Sequence, residues 1–333
     1  MKIAFFEIQG WERPLLEEAF KEHELFFSEK PLQTSDLTTM RDFEALSVFI
    51  YSRVSREIID AMPNLKLVAT RSTGYDHIDL AAAKTRGVIV SNVPTYGEHT
   101  VAEHTFALIL ALSRNVHKSH VRRLKNDFSI EGLKGFDLKD KTIGVVGAGK
   151  IGLHVIRIAR GFGMRVLAYD AFQNNFLSDV LDFDYVPLDR LLAESDIITL
   201  HTPYNEKTHH LINEQSIKKI KQGSLLVNTA RGELVDNDAL IQALDQGILA
   251  GAGLDVIEGE LLIKEEKELL SGTKLSGDLS ELVNDHNLLR RDNVVYTPHI
   301  AFYSDEALHR ILRTTIENIT CFTDGVCQNA VGN

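Results

Sequence analysis

The sequence predicts an α/β fold with two doubly wound parallel-sheet domains. Short apolar runs rich in β-branched and aromatic residues alternate with longer helical patterns from the first residue to about residue 300, which is typical of βαβ units and parallel sheets. The runs form two series with a long helical stretch between them, and 333 residues are enough for two domains. Two domains separated by a cleft are the simplest interpretation.

The first series predicts a small parallel sheet, because its runs have the composition and the polar boundaries of strands. Its five predicted strands are KIAFF (2–6), LFFS (25–28), SVFIYS (47–52), LKLVAT (65–70) and VIVSN (88–92). The second series predicts a larger sheet whose strands are reached through helical segments. Its six predicted strands are TIGVVG (142–147), RVLAY (165–169), DIITLH (196–201), SLLVNTA (224–230), LAGAGLDV (249–256) and NVVYTP (293–298).

Residues 97–127 are long enough for one long helix, and the first half is apolar on nearly every face. Such a helix must be buried, and the sequence leaves two partners open: a second copy of the chain, or the border between the two domains. A closing helix is predicted after residue 303, with Ser304 as N-cap and Asp305 and Glu306 in the first turn. A loose polar segment is predicted around residues 271–287.

Composition excludes several classes of protein. The formal net charge of −11 argues against a nucleic-acid surface, which needs clustered Lys and Arg. Only Cys321 and Cys327 occur, so neither a disulfide framework nor a Cys-based metal site is expected. The first residues lack a secretory pattern, and no stretch approaches the roughly 20 apolar residues of a membrane span. We expect a cytoplasmic protein without metal that binds neither nucleic acid nor membrane.

The stretch TIGVVGAGKIG contains Gly147, Gly149 and Gly152 in the pattern G-x-G-x-x-G, between a predicted strand and a predicted helix. A tight turn, close approach of a pyrophosphate to the backbone, and close helix-to-strand packing each require a missing Cβ at one of these positions. The next strand ends in Asp170, about 20 residues beyond Gly147, where a carboxylate accepts hydrogen bonds from a ribose and repels a 2′-phosphate. The motif therefore favours NAD over NADP; the alternative is an ordinary strand-to-helix turn followed by a surface Asp.

A nicotinamide enzyme also needs a group that carries a proton, and histidine suits this task near neutral pH. Position selects His299 among 13 histidines, because it follows the strand predicted at 293–298, at the edge of the sheet where ligands gather. Arg231 follows another strand of the same sheet, and its guanidinium can bind a carboxylate through two hydrogen bonds. Taken singly, each residue could instead serve structure alone, the arginine in a surface salt bridge and the histidine as filling.

Three acids follow the strand between those two: Asp255, Glu258 and Glu260. An acid beside His299 would favour the imidazolium form and raise its pKa. Carboxylates at strand ends also serve as caps, so the residue pattern leaves the choice among the three acids open.

These motifs carry a family resemblance over nearly the whole chain. GVVGAGKIG (144–152), NTARGELVD (228–236), GLDVIEGE (253–260) and TPHIAF (297–302), in this order, resemble the D-isomer-specific 2-hydroxyacid dehydrogenases. Within that family the sequence is most similar to the D-lactate dehydrogenases, on the extended segment after Glu260 and on RSTGYDHIDL (71–80), NVPTYGEHTVAEHT (92–105), HTPYNEKTHHLIN (201–213) and AFY (301–303).

The resemblance implies two Rossmann-like domains and a set of site residues. Arg231 would bind the substrate carboxylate, His299 would be the acid/base, and Glu260 would keep His299 protonated. The residues expected to bind NAD are Gly147, Gly149, Lys150, Ile151, Gly152, Asp170, His201, Thr202, Pro203, Thr229, Ala230 and Asp255, the last by orienting the nicotinamide carboxamide. The residues expected around the substrate are Tyr51, Ser72, Thr73, Gly74, Tyr96 and Phe302.

The resemblance also implies a discontinuous substrate domain, residues 1–97 plus 303–333, and an NAD-binding domain, residues 98–302. It implies a homodimer formed through the long helix after the first crossover. The leading hypothesis is reduction of pyruvate to D-lactate with NADH. The alternatives are another small 2-oxo acid, such as a branched 2-oxo acid, hydroxypyruvate or glyoxylate, and an NAD-sensing binding protein without catalysis.

Overall fold

The computed structural model describes residues 1–259 and 287–332. The chain divides into two compact units, Met1–Tyr96 with Ser304–Asn333, and Gly97–Tyr303. The loose segment predicted at 271–287 lies, except for residue 287, outside the described residues. Among the described residues, no helix is both long and apolar enough to span a membrane.

The first unit is built on a six-stranded sheet in the order β13-β5-β4-β3-β1-β2. All neighbours are parallel except the antiparallel edge pair β13 and β5. The run 2-1-3-4-5 is one of the two common doubly wound orders, and its strand order reverses between β1 and β3. With strands numbered along the whole chain, its members are β1 (Lys2–Phe5), β2 (Glu24–Phe27), β3 (Ala45–Val48), β4 (Leu67–Thr70), β5 (Ile89–Ser91) and β13 (Ala330–Val331).

The second unit is built on a seven-stranded, fully parallel sheet in the order β12-β11-β10-β9-β6-β7-β8. Read from β8, this is the Rossmann order 3-2-1-4-5-6 with one added strand, and it reverses between β6 and β9. Its members are β6 (Thr142–Val146), β7 (Arg165–Tyr169), β8 (Asp184–Tyr185), β9 (Ile197–Leu200), β10 (Ser224–Asn228), β11 (Leu249–Leu254) and β12 (Val294–Tyr296).

Helices flank each sheet. In chain order they are α1 (Glu12–Ala19), α2 (Leu37–Met40), α3 (Arg56–Ala61), α4 (Leu80–Arg86), α5 (Glu98–Ser113), α6 (Val116–Leu124), α7 (Lys150–Gly161), α8 (Asn175–Leu181), α9 (Leu188–Glu194), α10 (Glu214–Ile217), α11 (Asn237–Asp245) and α12 (Asp305–Thr323). Helices α1 to α4 and α12 belong to the first unit. Every residue of the central strands β3, β4, β9 and β10 is buried, which explains why these strands read as continuous apolar runs.

The closing helix is confirmed: Ser304 caps α12 by accepting a hydrogen bond from the Ala307 N–H at 3.3 Å.

The prediction of a single helix over 97–127 was wrong, because α5 ends at Ser113 and α6 begins at Val116. Asn115 adopts a left-handed φ of +51°, and its amide donates to the Leu133 and Lys134 carbonyls at 3.4 and 3.2 Å. These contacts, remote in the sequence, stop the helix.

Several strand boundaries differ from the sequence prediction, most of all at β3. The strand predicted at 47–52 lies at Ala45–Val48, because the following backbone N–H groups bond to a side chain instead of to a neighbouring strand. The strands β8 and β13 were not predicted at all. Each has two residues, which is too short to show a periodicity.

Candidate active site

The glycine turn joins β6 to α7. Its three glycines differ in what a Cβ at each position would contact. Gly147 has φ +97°, and a Cβ there would lie 2.7 Å from the His201 carbonyl. At Gly152 a Cβ would lie 1.9 Å from the Gly147 carbonyl oxygen, whereas at Gly149 it would meet nothing within 4 Å. The fold therefore requires two of the glycines, and the third borders open space. That space adjoins the first turn of α7, whose backbone N–H groups suit a phosphate.

Lys150 and Ile151 are the first two residues of α7, exposed and half-buried respectively. The half-buried Asp170 follows β7, next to the turn. Its carboxylate accepts hydrogen bonds from the Ala148 N–H at 2.7 Å and the Phe172 N–H at 2.8 Å. Asp170 thus braces the glycine turn, a contact that the sequence spacing did not reveal.

His201, Thr202 and Pro203 follow β9, across the strand-order reversal from the glycine turn. The His201 N–H donates to the Val146 carbonyl at 2.7 Å, and its ring Nε2 lies 2.8 Å from the Thr199 hydroxyl. Burial lowers the pKa of His201 to about 3. This imidazole is therefore neutral near pH 7 and is excluded as the proton carrier. Thr202 is half-buried and Pro203 is exposed.

Arg231 follows β10 in a loop fixed by Asn228. The Asn228 side chain accepts from the Ala230 N–H at 3.0 Å and donates to the Arg231 carbonyl at 2.8 Å. The half-buried guanidinium donates to the Ala230 carbonyl at 2.7 Å. At Gly232 a Cβ would lie 2.1 Å from the Ile257 carbonyl. The loops after β10 and β11 are therefore in backbone contact, and only glycine permits this.

His299 lies beyond β12 in the left-handed region, with φ +55°. Its backbone N–H donates to the Asp255 carbonyl at 2.8 Å and to the Thr297 carbonyl at 2.9 Å. The imidazole is half-buried and meets the Phe302 ring edge-on at 6.3 Å between centroids. Because β12 and β10 flank β11 in the sheet, His299 and Arg231 end strands on either side of Asp255.

Asp255 is 1% exposed, and its carboxylate binds the loop that carries His299. It accepts from the Thr297 hydroxyl at 2.5 Å and from the Ile300 and Ala301 N–H groups, both at 2.9 Å. His104 Nε2 lies 3.5 Å from the same carboxylate. Burial alone would raise the pKa of Asp255, but the hydrogen bonds from His104, Thr297 and the backbone outweigh it and hold the pKa below its ordinary value.

The three candidate acids thus have different surroundings. Asp255 binds the loop of His299, whereas both carboxylate oxygens of Glu258 lie 2.9 Å from His210 Nε2. Glu260 lies outside the described residues, so its role toward His299 remains an expectation. Glu258 is therefore a hydrogen-bond partner of His210 in the loop after β9.

His209, His210 and Glu258 form the group, among the residues described, whose ligand atoms are close enough to one another to hold a metal ion. The two imidazoles stack at 3.9 Å between centroids. The Glu258 carboxylate already has a hydrogen-bond partner in His210. The group is therefore explained without a metal, and the expectation that the protein uses none is unchanged.

In the first unit, Ser72, Thr73 and Gly74 follow β4 in a loop held by its own side chains. The Ser72 hydroxyl donates to the Gly74 carbonyl at 2.6 Å, and the Thr73 hydroxyl donates to the Val93 carbonyl at 2.8 Å. Asn92 donates to the Thr73 carbonyl at 2.8 Å. The Ser72 and Thr73 hydroxyls therefore donate their hydrogens within the protein. The backbone N–H groups of the loop are left as the candidate donors to a ligand.

The three residues expected to wall in the substrate differ in exposure. Tyr51 is 40% exposed, Tyr96 is half-buried and Phe302 is 8% exposed. Tyr51 and Tyr96 belong to the first unit and Phe302 to the second. The backbone of Tyr96 is fixed, since its carbonyl accepts from the Arg310 guanidinium at 2.6 Å.

Sequence reasoning missed a carboxylate at the strand-order reversal of the first sheet. Glu7, with φ +57°, follows β1 and accepts from the Phe49, Tyr51 and Ser52 N–H groups at 3.0, 2.9 and 3.1 Å. Ligands of doubly wound sheets bind at such reversals. Here the protein's own carboxylate accepts these backbone N–H groups, and it fixes the backbone of Tyr51.

Arg71 was also missed, because a charged residue next to a strand reads as exposed. It is 2% exposed, donates to the Phe6 and Glu7 carbonyls at 2.8 and 2.7 Å, and lies 3.7 Å from the Glu12 carboxylate. Burial lowers the pKa of Arg71, while Glu12 and Glu7 raise it. The buried pair anchors the start of the loop that continues to Ser72.

A Rossmann-ordered sheet with a glycine turn, a helix N-terminus without a side-chain cap and an acid after the second strand defines a dinucleotide-binding domain. The sequence model of the D-isomer specific 2-hydroxyacid dehydrogenase, NAD binding domain, matches residues 106–301. The chain belongs to the D-isomer specific 2-hydroxyacid dehydrogenase family. It is an NAD-dependent oxidoreductase of 2-hydroxy acids, and the open space at Gly149 fits the coenzyme.

Relatives of known name support this assignment. The chain is 35% identical to the D-lactate dehydrogenase of Escherichia coli, over 99% of each chain. It is 37% identical to the glyoxylate reductase of Korarchaeum cryptofilum, over 86% of this chain and 81% of the relative. Among solved structures, it superimposes with a TM-score of 0.90 and 37% identity on the D-lactate dehydrogenase of Aquifex aeolicus complexed with NAD and lactic acid, over 99% of each chain.

Proposed function

We propose that this enzyme reduces pyruvate to D-lactate with NADH, and runs the reverse reaction with NAD. The main support is the placement of Arg231 and His299 after β10 and β12, on either side of β11 at the carboxyl edge of one sheet. A carboxylate-binding group and a proton carrier are the two protein groups that a 2-oxo acid reductase needs. The relatives named D-lactate dehydrogenase add to this support.

NADH, when bound, supplies the hydride. Arg231 binds the substrate carboxylate through its two-pronged guanidinium, which fixes the orientation of the 2-oxo group. His299 donates a proton from its imidazole to the substrate oxygen, and takes it back in the oxidative direction. Glu260 stabilises the protonated imidazole.

We further propose that residues 98–302 form the NAD-binding domain, as the family match to residues 106–301 supports, and that residues 1–97 with 303–333 form the substrate domain. The two compact units of the chain support this division. In that assignment, Ser72, Thr73 and Gly74 offer backbone N–H groups to the carboxylate. Tyr51, Tyr96 and Phe302 wall in the side chain, and three aromatic rings favour a small apolar group such as methyl.

A second candidate substrate is glyoxylate, which has no side chain at all. The relative named glyoxylate reductase favours this alternative, and the chemistry of Arg231 and His299 would be the same. A panel of 2-oxo acids separates the two: pyruvate, glyoxylate, hydroxypyruvate, a branched 2-oxo acid and phenylpyruvate, ranked by kcat/KM from the absorbance of NADH. The highest value for pyruvate, with D-lactate as the product, supports the proposal; a higher value for another acid contradicts it.

We also propose that the chain forms a homodimer through α6 and the segment that follows it. Large apolar side chains are exposed along this stretch: Val116, Val121, Leu124, Phe128 and Ile130, at 57, 49, 63, 77 and 87%. Exposed apolar side chains concentrated in one stretch of the chain favour an interaction site. A cytoplasmic location is proposed as well, because Cys321 and Cys327 are free thiols, which a reducing compartment preserves.

A further inference from the structure

Helix α5 presents two consecutive polar side chains to two different loops. His104 contacts the loop after β12, and Thr105 contacts the loop after β10. Thr105 is fully buried, in a helix that otherwise buries mainly apolar residues. Polar groups placed in a core are costly unless they make defined hydrogen bonds, so the partners of these two residues indicate their purpose.

The hydrogen positions around His104 follow from its neighbours. The Thr297 hydroxyl donates its only hydrogen to the Asp255 carboxylate, 2.5 Å away, since an ionised carboxylate can only accept. His104 Nε2 lies 2.9 Å from the same hydroxyl oxygen. That oxygen has only lone pairs left, so His104 Nε2 must carry a proton and donate it. A chain of hydrogen bonds therefore runs from His104 through Thr297 to Asp255.

Asp255 connects this chain of hydrogen bonds to the loop that carries His299. Its carboxylate holds the hydroxyl and two N–H groups of the loop 297–301, and its own carbonyl accepts the His299 N–H. His299 stands in a left-handed conformation, with φ +55°, which persists only where surrounding contacts enforce it. If the His104 donor were lost, the Asp255 carboxylate would be held less firmly. The backbone conformation of His299, which depends on Asp255, would then be less well fixed.

The contacts of Thr105 can be assigned in the same way. Its hydroxyl donates to the Val101 carbonyl at 2.8 Å, so it must accept from the Thr229 hydroxyl at 3.0 Å. Thr229 lies two residues before Arg231, in the loop that Asn228 also holds. The helix thus fixes the start of that loop.

We infer that α5 is the positioning element of the active site, with His104 fixing the loop that carries His299 and Thr105 fixing the loop that carries Arg231. Neither side chain is a catalytic residue; each acts through another. The inference rests on the proposed roles of Arg231 and His299, and it adds two residues to which neither the motifs nor the family resemblance assigned a part.

His104→Leu and His104→Gln test the first half. Leucine removes the donor, whereas the glutamine amide supplies an N–H at similar reach. With NADH and pyruvate, or the best acid of the panel, His104→Leu should lower kcat about 10- to 100-fold, as small misplacements do. Its KM and the Kd of NADH should stay close to wild type, and His104→Gln should recover most of the loss. Glu103→Gln, at the exposed preceding position, is the matched control.

Thr105→Val and Thr105→Ser test the second half. Valine keeps the shape and removes the acceptor for Thr229, whereas serine keeps the hydroxyl. Thr105→Val should raise KM for the 2-oxo acid about 10-fold while kcat changes little, the signature of lost uniform binding. Thr105→Ser should restore KM. The split between a kcat effect at one residue and a KM effect at the next is specific to positioning.

All kcat values are divided by the number of NADH sites, counted by fluorescence titration, so that unfolded protein does not contribute. Wild-type kcat per site in His104→Leu would overturn the inference. So would equal losses in His104→Leu and His104→Gln with a lowered unfolding midpoint, since these indicate packing alone. Failure of the proposed function looks different: the wild type itself would bind NADH and turn over no 2-oxo acid.

Discussion

The backbone of His299 is held in a conformation that residues other than glycine rarely adopt. Its φ of +55° costs roughly 1–3 kcal/mol for a residue with a Cβ, and hydrogen bonds to two carbonyls maintain it. By contrast, burial leaves His201 neutral, with a pKa of about 3. His201 is therefore excluded as the proton carrier, which leaves His299 as the candidate at these two strand ends.

His299→Gln is expected to lower kcat by about 100-fold or more, because general acid catalysis contributes at least this much. The Kd of NADH should change little, since no part of the glycine turn is altered. Turnover is measured from NADH absorbance and binding from NADH fluorescence. His120→Gln, at an exposed position of α6, is the control and should match wild type; an active His299→Gln enzyme would remove the proposed proton transfer.

Substitutions in the glycine turn should separate folding from coenzyme binding. Gly149→Ala should leave the thermal unfolding midpoint nearly unchanged and weaken NADH binding about 10-fold or more, because its Cβ enters space that is open in the protein and suits the pyrophosphate. Gly147→Ala should lower the midpoint, because its Cβ meets the His201 carbonyl at 2.7 Å. Unaltered NADH affinity in Gly149→Ala would show that the coenzyme does not approach this turn.

At the scale of elements, the candidate site residues lie in loops that follow strands, and contacts with neighbouring elements hold these loops. The backbone contact between the loops after β10 and β11 requires Gly232. In the first unit, Glu7 ties the loop after β3 to the end of β1. Each loop is therefore rigid through contacts with another element, which favours the precise geometry that catalysis demands.

The N-cap of α12 should contribute measurably to the stability of the first unit. Ser304→Ala is expected to lower the free energy of unfolding by about 1 kcal/mol, because the Ala307 N–H loses its acceptor. Ser304→Asp, which keeps an oxygen at the cap, should retain most of the stability. Urea denaturation followed by circular dichroism measures both. Equal stability of wild type and Ser304→Ala would mean that the cap bond contributes nothing.

At the scale of the whole molecule, the two doubly wound sheets differ in strand order and in what lies at their reversals. The reversal of the second sheet, between β6 and β9, has open space at Gly149. The reversal of the first sheet, between β1 and β3, is closed by the Glu7 carboxylate. The reversal of the second sheet lies within residues 106–301, which match the NAD binding domain of the family.

Acid should destabilise the second unit through His201. Its pKa is about 3 in the folded state and about 6.5 when unfolded, so between these values the unfolded chain binds the extra proton, and stability falls as the pH drops. From pH 7 to 4.5 this group should remove about 3 kcal/mol of unfolding free energy. Urea denaturation of wild type and His201→Gln at both pH values measures it: the variant should lose about that much less. Equal losses would contradict neutral burial of His201.

The oligomeric proposal predicts a dimer of the 37.3 kDa chain in sedimentation equilibrium. Leu124→Glu combined with Ile130→Glu should shift it toward monomer, because carboxylates cannot be buried unpaired in an apolar interface. Phe176→Glu, at a 73% exposed position of α8, is the control and should leave the assembly unchanged. A monomeric wild type would reject the interface.

Local pattern was enough to predict the parallel-sheet units, the glycine turn and the cap of α12. Strand ends, the glycine spacing and the Ser304 cap depend on residues a few positions apart, so they can be read along the chain. The break at Asn115 could not, because carbonyls at Leu133 and Lys134 hold it. The same is true of Glu7, whose carboxylate ends β3 from more than forty residues away.

By itself, the sequence determined the two series of βαβ units, the dinucleotide turn and, through the order of its motifs, the family. Tertiary structure alone decided the strand orders, the neutral burial of His201 and the assignment of Asp255 and Glu258 to different partners. The physical reason is that propensity and spacing act over a few residues. Burial and hydrogen-bond partners are settled only when strands distant along the chain become neighbours in a sheet.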